Sequence, residues 1–335
     1  MIWCCPACRA ALEETGAALA CTGCAAQYPL LHGIPDLRVE QDCWIDFDED
    51  RRRALEAGER VARDGLDAAI HHVFRSSRGF DEKRSDYRTR QVLDGVAKCL
   101  AQCGDWLKPP MSERGLVLDL GCGPGQMLAA AAQLGRDAVG IDASMEWLVI
   151  AKHLAARFGG APQLAAGLAE QLPIRNGVIA AVISLDVIEH VGDQNAYVQE
   201  IRRVLAPGGV FALSTPNRYS LSPEPHVNVW GVGYLPRRFQ EPYVQWAAGR
   251  SYAFNRLLSV WEAKGFFSRE RGFDAKIVFP VIAAHEIANF SDARKKLARI
   301  YNRLVEMPAL KPLFPLFGAY YRIVGRTLVD RPVRA

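Results

Sequence analysis

The amino-acid sequence predicts an α/β protein with a doubly wound, mostly parallel sheet, preceded by a small metal-binding domain and followed by helices. An apolar strand, a glycine-rich turn and a helix-forming segment follow one another over residues 116–133. Two closely spaced pairs of cysteines lie within the first 24 residues. Half of the 335 residues are hydrophobic and 23% are charged, which suits a packed core and excludes a disordered chain.

Hydropathy and charge indicate the compartment and the class of partner. No run approaches the roughly 18 apolar residues that span a bilayer, and the start MIWCCPACRA lacks the pattern of a secretion signal. We therefore expect a cytoplasmic protein. The net charge is +4, but residues from 235 onward carry 18 Lys and Arg against 8 Asp and Glu. This basic third could face phosphates, an anionic substrate or a membrane surface, and a solvated Arg-rich surface is the simpler interpretation.

The first element is a cysteine-rich domain over residues 1–40. Cys5 and Cys8, and then Cys21 and Cys24, form two CxxC pairs. Two intervening residues let both thiolates of a pair face one ion, so the pattern predicts a closed, structural Zn²⁺ site with four cysteine ligands. Cys4 could replace Cys5, but the spacing to Cys8 favours Cys5. A segment this short needs metal to fold, and we expect its core to be separate from that of the following domain.

The segment CPACRAALEETGAALACTGCAAQYPLLHGIPDL resembles the zinc ribbon of tRNA-methyltransferase activator proteins. The likeness covers both cysteine pairs and the following Tyr-Pro…Gly-Ile-Pro ending, over about residues 1–38. Residues 41–84 are polar and compatible with helix, and we interpret them as a helical linker.

The next element is a nucleotide-binding strand and turn. The strand LVLDL (116–120) leads into Gly121-Cys-Gly123-Pro-Gly125, where glycines permit a tight turn and close approach of a ligand. A second strand, AVGID, ends at Asp142, whose carboxylate is placed to accept hydrogen bonds from both hydroxyls of a ribose. The glycine spacing differs from the dinucleotide fingerprint G-x-G-x-x-G, and no P-loop lysine follows.

Five motifs in order, DLGCGPG, GIDAS, GLAEQLPI, ISLDVIEHV and IRRVLAPGGVFALSTPN, resemble the class I S-adenosylmethionine-dependent methyltransferases over about residues 85–275. The resemblance implies a seven-stranded, mostly parallel sheet and S-adenosyl-L-methionine as cofactor. Leu168 stands where the family commonly has an acidic residue, so a backbone carbonyl or water must accept from the adenine amino group. The cofactor contacts that the resemblance implies are Asp119, Gly121, Gly123, Gly125, Asp142, Ala143, Ser144, Leu168, Ala169 and Asp186.

The acceptor is less well specified. The chain lacks the Pro-Pro segment of amino-base methyltransferases and the Pro-Cys nucleophile used on pyrimidine C5. DVIEHV with STPN looks more like the quinone and small-molecule O-methyltransferases, which favours O-methylation of a small-molecule or lipid-like acceptor. Methylation of rRNA or tRNA through the ribbon is the main alternative, although the ribbon holds only Arg9 and Arg38 as basic residues. The third hypothesis is a non-catalytic scaffold that binds the cofactor.

An aromatic, loop-rich insertion over about residues 215–249 is the predicted acceptor lid, because such a segment lies where substrates enter this fold. It contains His226, our first candidate for the general base, since neutral imidazole accepts protons near pH 7. His190 is the second candidate and His285 the third, and Asp186 is expected near the transferred methyl group.

Residues 276–335 are predicted to be a C-terminal helical extension. Its end, ALKPLFPLFGAYYRIVGRTLV, mixes aromatic, aliphatic and Arg residues. Such a helix would pack on the domain or lie as a peripheral contact at a membrane interface.

Overall fold

The computed structural model describes residues 1–40, 45–107, 115–282, 287 and 292–329. Contacts between residues divide the chain into two compact units. Unit 1 contains the described residues within 1–185, 193–211 and 327–335. Unit 2 contains those within 186–192 and 212–326.

The cysteine-rich segment of unit 1 forms a small antiparallel sheet of four strands in sequence order. Its first two strands pair with Leu12 opposite Cys21, which brings the start of the hairpin beside the second cysteine pair. The strands are β1 (Leu12–Glu14), β2 (Ala18–Cys21), β3 (Gln27–Leu31) and β4 (Ile34–Pro35).

The large sheet has the predicted seven strands. They are β5 (Leu116–Leu120), β6 (Ala138–Asp142), β7 (Gln163–Ala166), β8 (Ile179–Leu185), β9 (Leu205–Pro216), β10 (Phe273–Val278) and β11 (Tyr320–Thr327). Their order is β10-β11-β9-β8-β5-β6-β7. Strand β5 pairs in parallel with both β6 and β8, and β6 pairs in parallel with β7. The chain thus winds outward in both directions from β5 and β8, which confirms the doubly wound α/β class.

Unit 1 contains six α-helices among its described residues. They are α1 (Phe47–Asp64), α2 (Leu66–Ser76), α3 (Glu82–Leu107), α4 (Gln126–Gln133), α5 (Met145–Arg157) and α6 (Gln194–Val204). Ala54, Ile70 and Val92 of the first three helices are buried in one hydrophobic cluster with Leu128 and Leu148. Residues 45–84 are therefore part of the core of unit 1 rather than a linker. The buried residues of α1 are Asp50, Ala54, Ala57 and Gly58, so the helix shows no stripe of large apolar residues in the sequence.

The ribbon also belongs to this core, so the expectation of separate cores is wrong. Ile34 lies in the same hydrophobic cluster as the helices. Beyond β4, the Leu37 amide donates to the Ala166 carbonyl at 2.8 Å, and Asp36 forms a parallel bridge with Ala166 at the end of β7. At the other end of the ribbon, the Cys4 amide donates to the Pro173 carbonyl at 3.0 Å. The ribbon is held to the edge of the sheet by backbone hydrogen bonds.

Unit 2 contains the predicted lid and the described part of the C-terminal region up to residue 326. Its helices are α7 (Arg237–Ala248), α8 (Val260–Phe266), α9 (Asp292–Glu306) and α10 (Phe314–Phe317), with 3₁₀ turns at Val232–Tyr234, Arg269–Arg271 and Pro308–Leu313. In the part of the chain that the structure describes, no helix combines the length and apolar character needed to cross a bilayer.

The predicted helical extension over 276–335 is wrong at both ends. Residues 276–278 complete strand β10, and Tyr320–Thr327 is strand β11. Burial in β11 alternates, with Tyr321 and Ile323 fully buried, as expected for a strand with a period of two. Aromatic and β-branched residues favour this conformation, although the preference depends on the neighbouring strands.

Candidate active site

The glycine turn after β5 combines tight packing with an open face. Gly121, Gly123 and Gly125 have positive φ values of 75°, 49° and 85°. A Cβ on Gly125 would lie 2.7 Å from the Cβ of Ala151 in α5, whereas a Cβ on Gly123 would meet no described atom within 4 Å. Gly125 therefore allows helix packing, and Gly123 leaves room for a ligand to reach the backbone.

Asp142, at the end of β6, fixes this turn. Its Oδ2 accepts from the Gly123 amide at 2.8 Å and its Oδ1 accepts from the Ser144 amide at 2.8 Å. Burial raises the pKa of Asp142, although these two hydrogen bonds oppose the shift. Since a carboxylate offers about four lone-pair sites, both oxygens can still accept from a ligand hydroxyl.

Asp119 is a second buried carboxyl group at this turn. Its Oδ2 finds no hydrogen-bond partner among the described residues. Burial, and then the charge of Asp142, raises the pKa of Asp119 to about 8. A buried polar atom without a partner is costly, so this oxygen marks a place where a ligand donor fits.

The remaining donor-side residues lie beside Asp142. Ser144 caps helix α5, and its Oγ accepts from the Trp147 amide at 3.4 Å. The Gly167 amide donates to the Asp142 carbonyl at 3.0 Å, which brings Leu168 and Ala169 to the end of β6. Unit 1 thus gathers the predicted residues Asp119 to Ala169 at the carboxyl ends of adjacent strands, whereas Asp186 belongs to unit 2.

A buried network of ion pairs connects the ribbon to the turn that follows β6. Sequence reasoning missed this network. The Arg38 side chain is fully buried and pairs with Asp36 and Asp50, each at 2.7 Å. Arg38 Nη1 also donates to the Ala143 carbonyl at 2.7 Å. Asp50 accepts from the Ser144 hydroxyl at 2.9 Å. A buried ion pair leaves no periodic sequence signal, so Arg38 counted only as one of the few basic residues of the ribbon.

The four predicted zinc ligands come together in the ribbon. Their Sγ atoms all lie within 4.8 Å of one another, with Cys8 and Cys21 at 3.3 Å and Cys5 and Cys24 at 3.7 Å. A tetrahedral site with Zn–S bonds of about 2.3 Å separates its sulfurs by about 3.8 Å, so the four thiols fit such an ion. Cys4 is not a member of this cluster.

Unit 2 holds a separate group of acidic and imidazole side chains. Asp186 has a left-handed backbone, with φ of 59°, and its Oδ1 accepts from the Ser214 hydroxyl at 3.2 Å. Glu189 is fully buried. Its Oε2 accepts from the Thr215 hydroxyl at 2.9 Å, and its Oε1 finds no partner among the described residues. Burial raises the pKa of Asp186 to about 6, and burial with the Asp186 charge raises that of Glu189 to about 8.

Two of the three predicted histidines lie in this group. The rings of His190 and His226 meet edge to face, with centroids 4.7 Å apart. His226 Nδ1 lies 2.5 Å from Glu224 Oε1, a partner that sequence reasoning missed. Burial, and then the charge of His226, lowers the pKa of His190 to about 4. Burial lowers the pKa of His226 as well, but the hydrogen bond and charge of Glu224 outweigh it and raise the pKa. His285 lies outside the described residues.

A cavity of about 240 Å³ in unit 2 is bordered by Asp186, Glu189 and His226, together with Pro216 and Tyr320. This space is large enough for part of a small molecule. A larger cavity of about 1100 Å³ in unit 2, between α8 and β10, contains none of the predicted catalytic residues.

The predicted lid is more ordered than a loop-rich insertion. The lid has its own buried cluster, which consists of Val227, Val232, Val244 and Tyr252. Helix α7 occupies the second half of the lid. Trp246 is 83% exposed, so this aromatic side chain does not line the cavity.

The comparisons with known proteins agree on one family, the methyltransferases. Residues 118–213 match the family model described as a methyltransferase domain. A ubiquinone biosynthesis O-methyltransferase of Dinoroseobacter shibae is 36% identical over 136 residues, or 40% of this chain and 52% of that protein. One of Mesorhizobium japonicum is 30% identical over 173 residues, or 51% of this chain and 67% of that protein.

The chain spans 40–58% of the length of the first three curated relatives that it matches. Among solved structures, an S-adenosylmethionine-dependent methyltransferase from Mesorhizobium loti superposes with a TM-score of 0.47 and 19% identity. That superposition covers 70% of this chain and 99% of the other.

Proposed function

Because the chain belongs to the S-adenosylmethionine-dependent methyltransferases, we propose that it methylates a hydroxyl oxygen of a small-molecule or lipid-like acceptor. The observation that supports an acceptor of this kind is the unit 2 cavity, with carboxyl and imidazole groups at its border. The O-methyltransferase names of the relatives favour the same chemistry. A cytoplasmic location is part of the proposal.

On the donor side, we assign Asp142 to the ribose hydroxyls and the backbone at Gly121, Gly123 and Gly125 to the methionine portion of the cofactor. The unpaired oxygen of Asp119 would accept from a donor group of that portion. Ala143, Ser144, Leu168 and Ala169 would surround the adenine. When bound, the cofactor supplies an activated sulfonium methyl group.

On the acceptor side, the reaction needs a hydroxyl held in line with the methyl group and a route for its proton. The candidates that promote loss of this proton are the titratable groups at the cavity, Asp186, Glu189 and His226. His226 is first among them, because Glu224 fixes the orientation of its ring.

We also propose that Cys5, Cys8, Cys21 and Cys24 hold one structural zinc ion. Elemental analysis of the purified chain should find about one zinc bound through these ligands. Because the ribbon shares the core of unit 1, Cys5→Ser should remove the zinc and also lower the stability of the cofactor site. Full zinc occupancy in a Cys5→Ser/Cys8→Ser variant would contradict the ligand assignment.

The decisive experiment follows the methyl label. The full chain is incubated with labelled cofactor and either a lipid and metabolite extract or total RNA, and the label is located by fraction. We expect product in the small-molecule or lipid fraction. Label found in RNA alone would favour the RNA alternative, whose binding should weaken steeply with salt. Cofactor binding without label in any fraction would favour a non-catalytic scaffold.

A further inference from the structure

Two groups of metal-capable side chains occur among the described residues besides the four cysteines. One, His71 with Glu82 and Asp86, has two exposed carboxylates, which is an ordinary surface arrangement. The other consists of Glu189, His190 and His226 in unit 2. Each of these three offers a ligand atom, and the three atoms lie within 4.8 Å of one another.

Glu189 distinguishes this second group from a simple hydrogen-bonded core. Its side chain has no exposed surface, and Thr215 satisfies only one of its two carboxylate oxygens. The other oxygen, Oε1, is buried and finds no partner among the described residues. Burying a carboxylate is expensive unless a positive charge compensates it. A cation beside this oxygen would supply that compensation.

The surroundings of His226 match those of a metal ligand. Glu224 Oε1 holds its Nδ1, and Glu224 Oε2 accepts from the backbone amides of His226 and Val227 at 2.8 and 2.9 Å. This clamp fixes the ring and directs its proton to Nδ1, which leaves Nε2 to coordinate. Histidines that bind metals usually donate their other ring N–H to a carboxylate or carbonyl in this way.

We propose that Glu189, His190 and His226 bind a divalent metal ion at the border of the unit 2 cavity. One carboxylate and two imidazoles suit Mn²⁺, Fe²⁺, Co²⁺ or Zn²⁺, whereas the thiolates of the ribbon select zinc. Three protein ligands leave coordination positions open for the acceptor.

The catalytic consequence rests on the proposed O-methylation. A bound ion would act as a Lewis acid toward the acceptor hydroxyl, so that its proton would pass more easily to water. The O–CH₃ bond then forms as the S–CH₃ bond of the cofactor breaks, which leaves S-adenosylhomocysteine. His226 acts in this scheme as a ligand, and its effect on the acceptor proton passes through the ion.

The test is titration of the full, zinc-loaded chain with Mn²⁺, followed by electron paramagnetic resonance of the free ion. Mn²⁺ is the probe because it competes poorly for thiolates. We expect tight binding of about one Mn²⁺ and a weakening of at least about 10-fold in Glu189→Gln and in His226→Asn, the lower end of losses at metal sites. Glu82→Gln, in the exposed group, is the matched control and should bind like the wild type.

Equal Mn²⁺ affinity in the wild type and in a folded Glu189→Gln variant would overturn the proposal, as would a loss confined to Glu82→Gln. Thermal unfolding gives a second readout, in which Mn²⁺ should raise the Tm of the wild type but not that of Glu189→Gln. Neither measurement needs cofactor or acceptor. Failure of the proposed methylation would therefore leave the metal readouts intact, and the two failures can be told apart.

Discussion

The donor site of unit 1 and the acidic–imidazole group of unit 2 are built in different ways. In unit 1, the groups assigned to the cofactor lie in or directly after strands β5, β6 and β7. They consist largely of backbone with two aspartates, Asp119 and Asp142. In unit 2, side chains from two separate segments, 186–190 and 214–226, meet in a buried cluster. A donor shared by a whole family can be bound by backbone geometry, whereas the acceptor must be recognised by side-chain chemistry.

The first prediction separates the two regions by their effect on catalysis. His226→Ala should lower turnover by about 10²–10⁴-fold, the usual value of acid–base or equivalent assistance. The affinity for S-adenosylhomocysteine should not change, because His226 belongs to the acceptor group. Steady-state kinetics and calorimetry on the same preparation measure both quantities. Equal turnover in the variant would exclude His226 from the reaction.

The second prediction concerns the ribbon as a support of the donor site. Arg38→Met leaves Asp50 buried without a cation, whereas Asp36 keeps its pair with Arg51. The uncompensated carboxylate should cost about 3–5 kcal/mol of stability. We expect weaker cofactor binding as well, since Arg38 holds the Ala143 carbonyl next to Asp142. Denaturant unfolding and calorimetry provide the measurements.

The matched control is Arg52→Met, which removes an exposed pair with Glu49. Exposed pairs contribute about 0–1 kcal/mol, so this variant should unfold nearly like the wild type. If Arg38→Met and Arg52→Met had the same free energy of unfolding, the ribbon would not stabilise unit 1 through this network.

The two regions also differ in how far the sequence could predict them. The glycine turn and Asp142 were found because their function depends on local spacing along one strand–turn–helix unit. Glu224 and Arg38 were not predicted, because their roles depend on buried hydrogen-bond partners that only the folded chain brings together. Strand β11 was misread as a helix for a related reason. A segment of mixed aromatic and aliphatic residues becomes a strand when neighbouring strands accept it. Strand β11 lies between β9 and β10, which are distant from it in sequence.

The third prediction addresses the donor site alone. Asp142→Ala should weaken binding of S-adenosylhomocysteine by about 2–3 kcal/mol, the loss expected for a charged hydrogen-bond partner. Calorimetry measures it directly. Asp137→Ala, an exposed residue just before the same strand β6, is the control and should bind normally. Unchanged affinity in a folded Asp142→Ala variant would remove this carboxylate from the site.

The smallest effect should come from the exposed aromatic surface of the lid. Trp246 is 83% exposed, and substitutions at such positions usually change stability by less than about 0.5 kcal/mol. Trp246→Ala should therefore keep the KM and turnover measured with a water-soluble acceptor. If the natural acceptor is lipid-like, the same variant should bind vesicles less tightly, because an exposed indole favours a membrane interface. A raised KM for the water-soluble acceptor would contradict this prediction. It would show that acceptor recognition in unit 2 involves the exposed surface of α7 as well as the buried acidic–imidazole group.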